Sequence, residues 1–112
     1  MHTVSYSVLC TLPDLPTARS YKDWLTQGHV QAVLAGGATG VEVVELISDD
    51  PRPRIEVRYS FEDQAAFDRY EKVHAPALRA DGAARFGSIP GVWFERRIGS
   101  VIFRSGSGVE PL

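Results

Sequence analysis

Residues 74–87 read His74-Ala-Pro-Ala-Leu-Arg-Ala-Asp-Gly-Ala-Ala-Arg-Phe-Gly87, and Trp93-Phe-Glu-Arg-Arg97 follows a few positions later. This part of the chain indicates how the protein folds, because it combines a helix end, a proline, a glycine turn and a strand. Pro76 disfavours the helical conformation at Ala75 and can begin a helix, since a first turn does not need its N–H. We therefore predict a second short helix through Arg85 and a final strand from Val92 to about Arg104.

The pattern continues in both directions from this stretch. Phe67, Tyr70 and His74 share one helical stripe, and Asp63 before them is an expected N-cap. Further upstream, apolar residues alternate in three strand-like segments, at residues 3–12, 41–47 and 55–61. Between the first two, a helix opening at Pro16 or Thr17 is expected to kink at Gly28.

The resulting order is strand, helix, strand, strand, helix, strand. An α+β fold of the ferredoxin-like βαββαβ type is the usual solution for this order, with a four-stranded antiparallel sheet and both helices on one face. Residues 1–104 are predicted to form this single domain, and residues 105–112, which begin Ser-Gly-Ser-Gly, to form a flexible tail.

Composition limits the classes of partner. Twelve Lys and Arg against fourteen Asp and Glu give a net charge of −2, without the basic excess that nucleic acid binding requires. No segment resembles a membrane span or a signal peptide. We therefore predict a cytoplasmic location, without membrane or nucleic acid partners. Cys10, the single cysteine, is expected to be a buried reduced thiol.

The sheet face away from the helices is predicted to mediate a homodimer. Glu56 and Arg58 in the third strand, with Trp93, Glu95 and Arg97 in the fourth, are expected on that face. Mixed charge around a tryptophan is unusual for a surface that meets only water, and it suits a face-to-face interface.

Residues 3 to about 102 resemble a bacterial domain-of-unknown-function family of the dimeric α+β barrel group. The resemblance is carried by Phe61-Glu-Asp through Tyr70, the His74-Ala-Pro76 step, Leu78-Arg-Ala-Asp-Gly82, Arg85-Phe-Gly87 and Phe94-Glu-Arg-Arg97. Wider members of this group, to which the chain is distantly similar, include antibiotic-biosynthesis-type cofactor-free monooxygenases and haem-degrading enzymes. The resemblance implies a fold and leaves the reaction open.

A pocket between helices and sheet is the expected binding site. His74 is the candidate catalytic residue, as a base or a haem ligand, although a histidine before Pro76 can equally serve to close the helix. Tyr6, Tyr59 and Tyr70 are candidate ligand contacts if their hydroxyls converge, and ordinary core residues if they do not.

Two arginines complete the predicted site. Arg79 could grip a carboxylate or enolate, or pair with a neighbouring acid such as Asp81. Arg96 and Arg97 alternate across the sheet, so one of them points toward the helices. If that residue is Arg96, it enters the pocket. His29 could line the pocket mouth or face solvent. No metal site is predicted, because the three histidines and the cysteine show no metal-ligand spacing and no Asp or Glu follows a histidine at i+3 or i+4.

Three hypotheses for function follow. The first is a dimeric small-molecule-binding protein that takes a small aromatic or acidic ligand and needs no cofactor. The second is a cofactor-free monooxygenase or a haem-oxygenase-like enzyme, with haem held by His74. The third is a structural or protein-interaction module in which the tyrosines and His74 are merely packed.

Overall fold

The structure, a computed structural model, describes residues 2–105. The predicted tail therefore lies outside the described residues, except for Ser105. Four strands form one sheet: β1 (Val4–Thr11), β2 (Ala38–Glu45), β3 (Arg54–Phe61) and β4 (Trp93–Ser100). Four α-helical segments accompany them: α1 (Leu15–Trp24), α2 (Val30–Ala35), α3 (Gln64–Arg69) and α4 (Ala75–Gly82).

The sheet has the predicted ferredoxin-like topology. Its strand order is β2-β3-β1-β4 and every neighbouring pair is antiparallel, which confirms the βαββαβ prediction. Val4 lies opposite Phe61, and this register continues in step to Thr11 opposite Arg54. Directly opposite residues point to the same face of an antiparallel pair, so the alternation in β1 and β3 determines one shared buried face.

The core lies between that face and the helices. Ile55, Val57, Tyr59 and Phe61 of β3 are all buried, as the alternation predicted. The helices form two helical units, residues 15–35 and residues 64–87. Tyr21 and Leu25 from the first unit and Phe67 from the second pack onto this side. Cys10 is fully buried in β1, in agreement with its prediction as a buried thiol.

Both helical units contain π turns, which the sequence patterns did not predict. Residues Leu25–His29 join α1 to α2, Tyr70–His74 join α3 to α4, and Ala83–Gly87 follow α4. The expected kink at Gly28 lies in the first of these turns, where Gly28 has φ +155°. Such turns bond i to i+5 and recur at functional sites.

Several predicted boundaries and one predicted conformation were wrong. Helix α1 begins at Leu15, because Asp14 accepts a capping hydrogen bond from the Thr17 N–H at 2.8 Å. Strand β2 is shifted toward the N-terminus of the predicted segment, and β4 ends at Ser100. Ala75 is helical despite preceding Pro76, since its N–H bonds the Tyr70 carbonyl across the π turn. The steric penalty before proline is a bias, and here the turn outweighs it.

Candidate ligand-binding site

A cavity of about 320 Å³ lies between the helices and the sheet. That volume is within the range of small-molecule sites, which are mostly apolar with a few polar groups. The aromatic and polar residues in its wall are Tyr6, Tyr21, Trp24, His29, Tyr59, Tyr70, Arg79, Phe94 and Arg96. Every strand except β2 contributes to the wall, as do both helical units. The cavity is therefore where the sequence predicted a pocket.

The three predicted tyrosines converge in this cavity. The Tyr6 ring lies 5.9 Å from that of Tyr59 and 6.2 Å from that of Tyr70, centroid to centroid. Burial raises the pKa of Tyr59 above its usual 10.0, and it raises the pKa of Tyr70 to about 12 with a further contribution from Tyr6. Tyr59 and Tyr70 are thus protonated at neutral pH and can donate hydrogen bonds.

Arg79 reaches the cavity from α4 and is held by an acid other than the one predicted. Its Nη2 donates to both carboxylate oxygens of Glu71, at 2.9 and 2.5 Å, and to the Tyr6 hydroxyl at 3.3 Å. Asp81 instead pairs with Arg85 at 3.1 Å. The charge of Arg79 is largely compensated, while its Nε is buried without a hydrogen-bond partner among the described residues.

Arg96 is the residue of the Arg96-Arg97 pair that faces the helices. It lies opposite Val8 in β1, and Val8 also lines the cavity. Its guanidinium carbon is 5.9 Å from the centre of the Phe94 ring. No acid within residues 2–105 forms an ion pair with Arg96, whereas Arg97, on the opposite face, approaches Glu56 and Glu95. The cavity wall therefore contains one uncompensated positive charge.

His29 also lines the cavity, although His74 was the predicted catalytic residue. It ends the first π turn and stacks on Trp24, with ring centroids 4.1 Å apart. Its Nδ1 is buried and has no hydrogen-bond partner among the described residues. Desolvation lowers the pKa of His29, and the charge of Asp81 only partly opposes this. The imidazole is therefore neutral at pH 7. Gly28, just before it, was the available sequence signal.

Trp24, His29 and Leu78 also form one side of an outer cleft of about 550 Å³. They separate this cleft from the inner cavity, since they line both. The Trp24 Nε1–H donates to Asp81 at 3.1 Å, which fixes the indole between the two spaces. Gly82 permits this position, because a Cβ there would lie only 3.2 Å from the Trp24 ring.

His74 lies elsewhere, so its expected position beside the tyrosines needs correction. It is not in the cavity wall, and its side chain packs on Gly36 at the end of α2, where a Cβ would be 3.0 Å from His74 Cγ. The π turn Tyr70–His74 explains the difference. The predicted stripe assumed a regular α-helix, and the π turn changes the angle around the helix axis between the side chains of residues 70 and 74.

Residues 3–95 match the family described as a domain of unknown function, DUF4286. The chain belongs to this family. Among proteins with curated descriptions, none is similar in sequence to the chain. The family therefore agrees with the resemblance found in the sequence and assigns no reaction.

Solved structures establish the fold group of this DUF4286 chain. A dimeric ferredoxin-like protein from an uncultured marine organism superposes with a TM-score of 0.67 and 13% identity, over 94% of this chain and 100% of that one. A Bacillus cereus protein assigned to the antibiotic biosynthesis monooxygenases gives 0.66 and 8%, over 96% and 100%. SnoaB, a cofactor-independent oxygenase from Streptomyces nogalater, gives 0.61 and 14%, over 96% and 99%. At such identities the likeness shows the fold alone.

No three His, Cys, Asp or Glu side chains among residues 2–105 come together as metal ligands. In the same part of the chain, no helix has the length and apolar character needed to cross a membrane.

Proposed function

We propose that this DUF4286 chain binds a small aromatic anion in the cavity between its helices and sheet. The observation that carries the proposal is the uncompensated guanidinium of Arg96 in a wall otherwise built largely from aromatic rings. Aromatic walls favour a flat apolar body, and a cation without an acidic partner in the wall favours a negative charge on it. The hydroxyls of Tyr59 and Tyr70 and the guanidinium of Arg79 supply further donors for a carboxylate or phenolate.

Binding should be tested with a matched set of small acids and their neutral analogues. Benzoate and 4-hydroxybenzoate are aromatic anions, benzamide is the neutral aromatic analogue, and cyclohexanecarboxylate is the anion without a ring. We expect the aromatic anions to raise the melting temperature most, because a ligand that binds only the native state stabilises it by mass action. A flat response to all four would instead favour the protein-interaction module.

Arg96→Gln provides the test of the residue that carries the charge argument. Loss of a charge-assisted hydrogen bond should weaken benzoate binding by about tenfold or more, while benzamide binding should change little. Arg19→Gln, on the exposed surface of α1, removes the same charge away from the cavity and should bind benzoate like the wild type. Equal benzoate affinity in all three proteins, measured by calorimetry, would contradict the proposal.

Cofactor-independent oxygenation is the second candidate function. The observation that favours it is the neutral His29 in the cavity wall, a suitable base for activating an electron-rich substrate toward O₂. SnoaB, which has this fold, is a cofactor-independent oxygenase. Oxygen consumption with polyphenols, in buffer free of added metal and cofactor, would support the enzyme. Binding without any oxygen uptake would leave the chain a binding protein.

A haem-oxygenase role does not fit the arrangement of residues. The axial ligand expected for haem was His74, and this side chain packs on Gly36 outside the cavity wall. The imidazole that does line the cavity, His29, is stacked against Trp24. No step of the proposed function uses haem.

We further propose that the chain forms a homodimer through its open sheet face. Two neighbouring rows of residues cross that face: Glu42, Arg58 and Arg97 form the first, and Glu56 and Glu95 belong to the second. A two-fold axis between the rows would place each Arg58 and Arg97 over the acidic row of the second copy. Charge complementarity of this kind selects a register, and it agrees with the dimeric neighbour.

A further inference from the structure

The imidazole of His29 is a basic group without a structural task. Its Nδ1 is buried and has no hydrogen-bond partner among the described residues, so this atom does not help to hold the fold together. Buried polar atoms are normally hydrogen-bonded, and the described residues supply no partner for this nitrogen. The stack on Trp24 fixes the plane of the ring, and the Trp24–Asp81 hydrogen bond fixes Trp24 in turn.

The other polar groups of the cavity are unsuited to accept a proton at neutral pH. Tyr59 and Tyr70 are protonated, and burial raises the pKa of Tyr21 in the same way. Arg79 and Arg96 are permanently charged donors. Glu71 is occupied by Arg79. Among the described residues of the cavity wall, His29 is therefore the available base.

Burial, and not the surrounding charges, favours the neutral form of His29. Arg79 of α4 and Arg96 of β4 face the same cavity as cations, together with tyrosines of β1, β3 and the helices. On the outer side, Asp23 of α1 and the Asp81–Arg85 pair line the cleft that shares His29. Desolvation dominates over the attraction of Asp81 and lowers the pKa of the imidazole. His29 is thus uncharged and ready to accept a proton when a ligand enters.

We propose that the cavity selects a ligand with an acidic hydroxyl, a phenol or an enol, and that His29 takes the proton of that hydroxyl. This inference rests on the proposed function and names its substrate class. The ligand O–H bond breaks, an N–H bond forms on the imidazole, and no electrons leave either molecule. The products are an imidazolium and a phenolate or enolate, and the uncompensated cation of Arg96 stabilises the anion. Donor hydroxyls of the tyrosines complete its solvation.

The chromogenic phenol 4-nitrophenol tests the transfer directly, because its phenol and phenolate absorb at different wavelengths. Wild-type protein is titrated about one pH unit below the pKa of the free phenol, and the bound spectrum is recorded. His29→Asn removes the base, and His74→Asn makes the same change outside the cavity wall. We expect bound phenolate in the wild type and in His74→Asn. In His29→Asn we expect bound neutral phenol and about tenfold weaker binding, the equivalent of one pKa unit.

Two further readings separate the possible failures. The ether 4-nitroanisole has no proton to give, so its affinity should be the same in the wild type and in His29→Asn. If the wild type binds neither compound, the proposed function falls together with this inference. If His29→Asn binds phenolate as well as the wild type does, only the inference is overturned.

Proton counting in the wild type provides a test that does not depend on a variant. Calorimetric titration of 4-nitrophenol in buffers of different ionisation enthalpy measures how many protons reach the solvent. Transfer to His29 keeps the proton on the protein, so we expect a phenolate spectrum with no net proton release. A phenolate spectrum accompanied by release of one proton would overturn the proposal. A neutral-phenol spectrum in the wild type would do so as well.

Discussion

His74 and His29 show how two histidines in similar local positions differ in role. Both end a π turn between two α-helical segments, yet only His29 lines the cavity. His74 is half-buried against Gly36, so its contribution is packing at the junction of the two helical units.

We therefore expect His74→Ala to lower the free energy of unfolding by about 1 kcal/mol, as deletions of partly buried side chains do. Its affinity for benzoate should stay within about twofold of wild type, since no cavity contact is lost. Urea unfolding and calorimetry measure the two quantities on the same sample. Loss of binding at full stability would instead support the hypothesis, made from the sequence, that His74 is catalytic.

Cys10 is a residue whose ionisation should respond to folding. Burial raises the pKa of its thiol from 9.0 to about 12. Below about pH 9 the thiol is protonated in both the folded and the unfolded chain, and stability is unaffected. Between about pH 9 and 12 only the unfolded chain releases the proton, so stability falls by about 1.4 kcal/mol per pH unit.

The alkaline loss should therefore be smaller in Cys10→Ala than in the wild type. Urea unfolding at about pH 8 and about pH 10 gives the comparison, and the difference between the two proteins should be about 1 kcal/mol. Tyr21, Tyr59 and Tyr70 also have raised pKa values and remain in both proteins, so they cancel. Parallel declines in the two proteins would show that the thiol ionises normally in the fold.

At the scale of elements, alternation predicted the strands well and helical periodicity predicted the site less well. Every second residue of β3 faces the core, because a strand repeats every two residues whatever it packs against. A helical stripe is valid only while the helix stays regular. The helix is not regular at the π turn Tyr70–His74, and none of the five residues in that turn is of a type that predicts it.

The predicted site residues in strands line the cavity because strand register fixes the direction of each side chain. Tyr6, Tyr59 and Arg96 lie in strands, where register fixes their direction, and all three line the cavity. His29 follows a turn whose geometry depends on Gly28 at φ +155°. Its burial results from α1, α4 and Trp24 packing together, which a local pattern does not encode.

Gly28→Ala should test whether the first π turn positions His29. A side chain at this φ strains the backbone, so we expect a loss of stability of about 1–3 kcal/mol. Because His29 is the next residue, we also expect at least tenfold weaker binding of 4-nitrophenol under the same conditions. Both values can be measured on the purified variant by urea unfolding and absorbance titration.

Gly37→Ala is the matched control for this element. Gly37 also has a positive φ, +121°, and a Cβ there meets nothing within 4 Å, so it should be similarly strained. It lies between α2 and β2, outside the cavity wall. We expect a similar loss of stability with unchanged phenol binding. Equal loss of binding in both variants would mean that general destabilisation, and not the position of His29, controls affinity.

The helices cover one face of the sheet and leave the side chains of the other face uncovered. Leu9 and Glu56 on that uncovered face are nevertheless buried. The Arg58 Nε donates to Glu56 at 2.7 Å, and Arg97 approaches the same carboxylate at 3.8 Å. Trp93 remains two-thirds exposed at the edge of this charged layer. A buried acid between two arginines, next to an exposed indole, is an arrangement that a second copy can complete.

Reversing the two arginines should therefore break the proposed homodimer. In Arg58→Glu/Arg97→Glu, like charges would face each other across the two-fold axis, and we expect monomers in analytical ultracentrifugation at about 150 mM salt. Arg19→Glu/Arg69→Glu changes the net charge equally on the exposed helical side and should stay dimeric. Mixing the first variant with Glu56→Arg/Glu95→Arg restores opposite charges between unlike chains. Heterodimers in that mixture would show that the rows meet, and a wild type that sediments as a monomer would refute the interface.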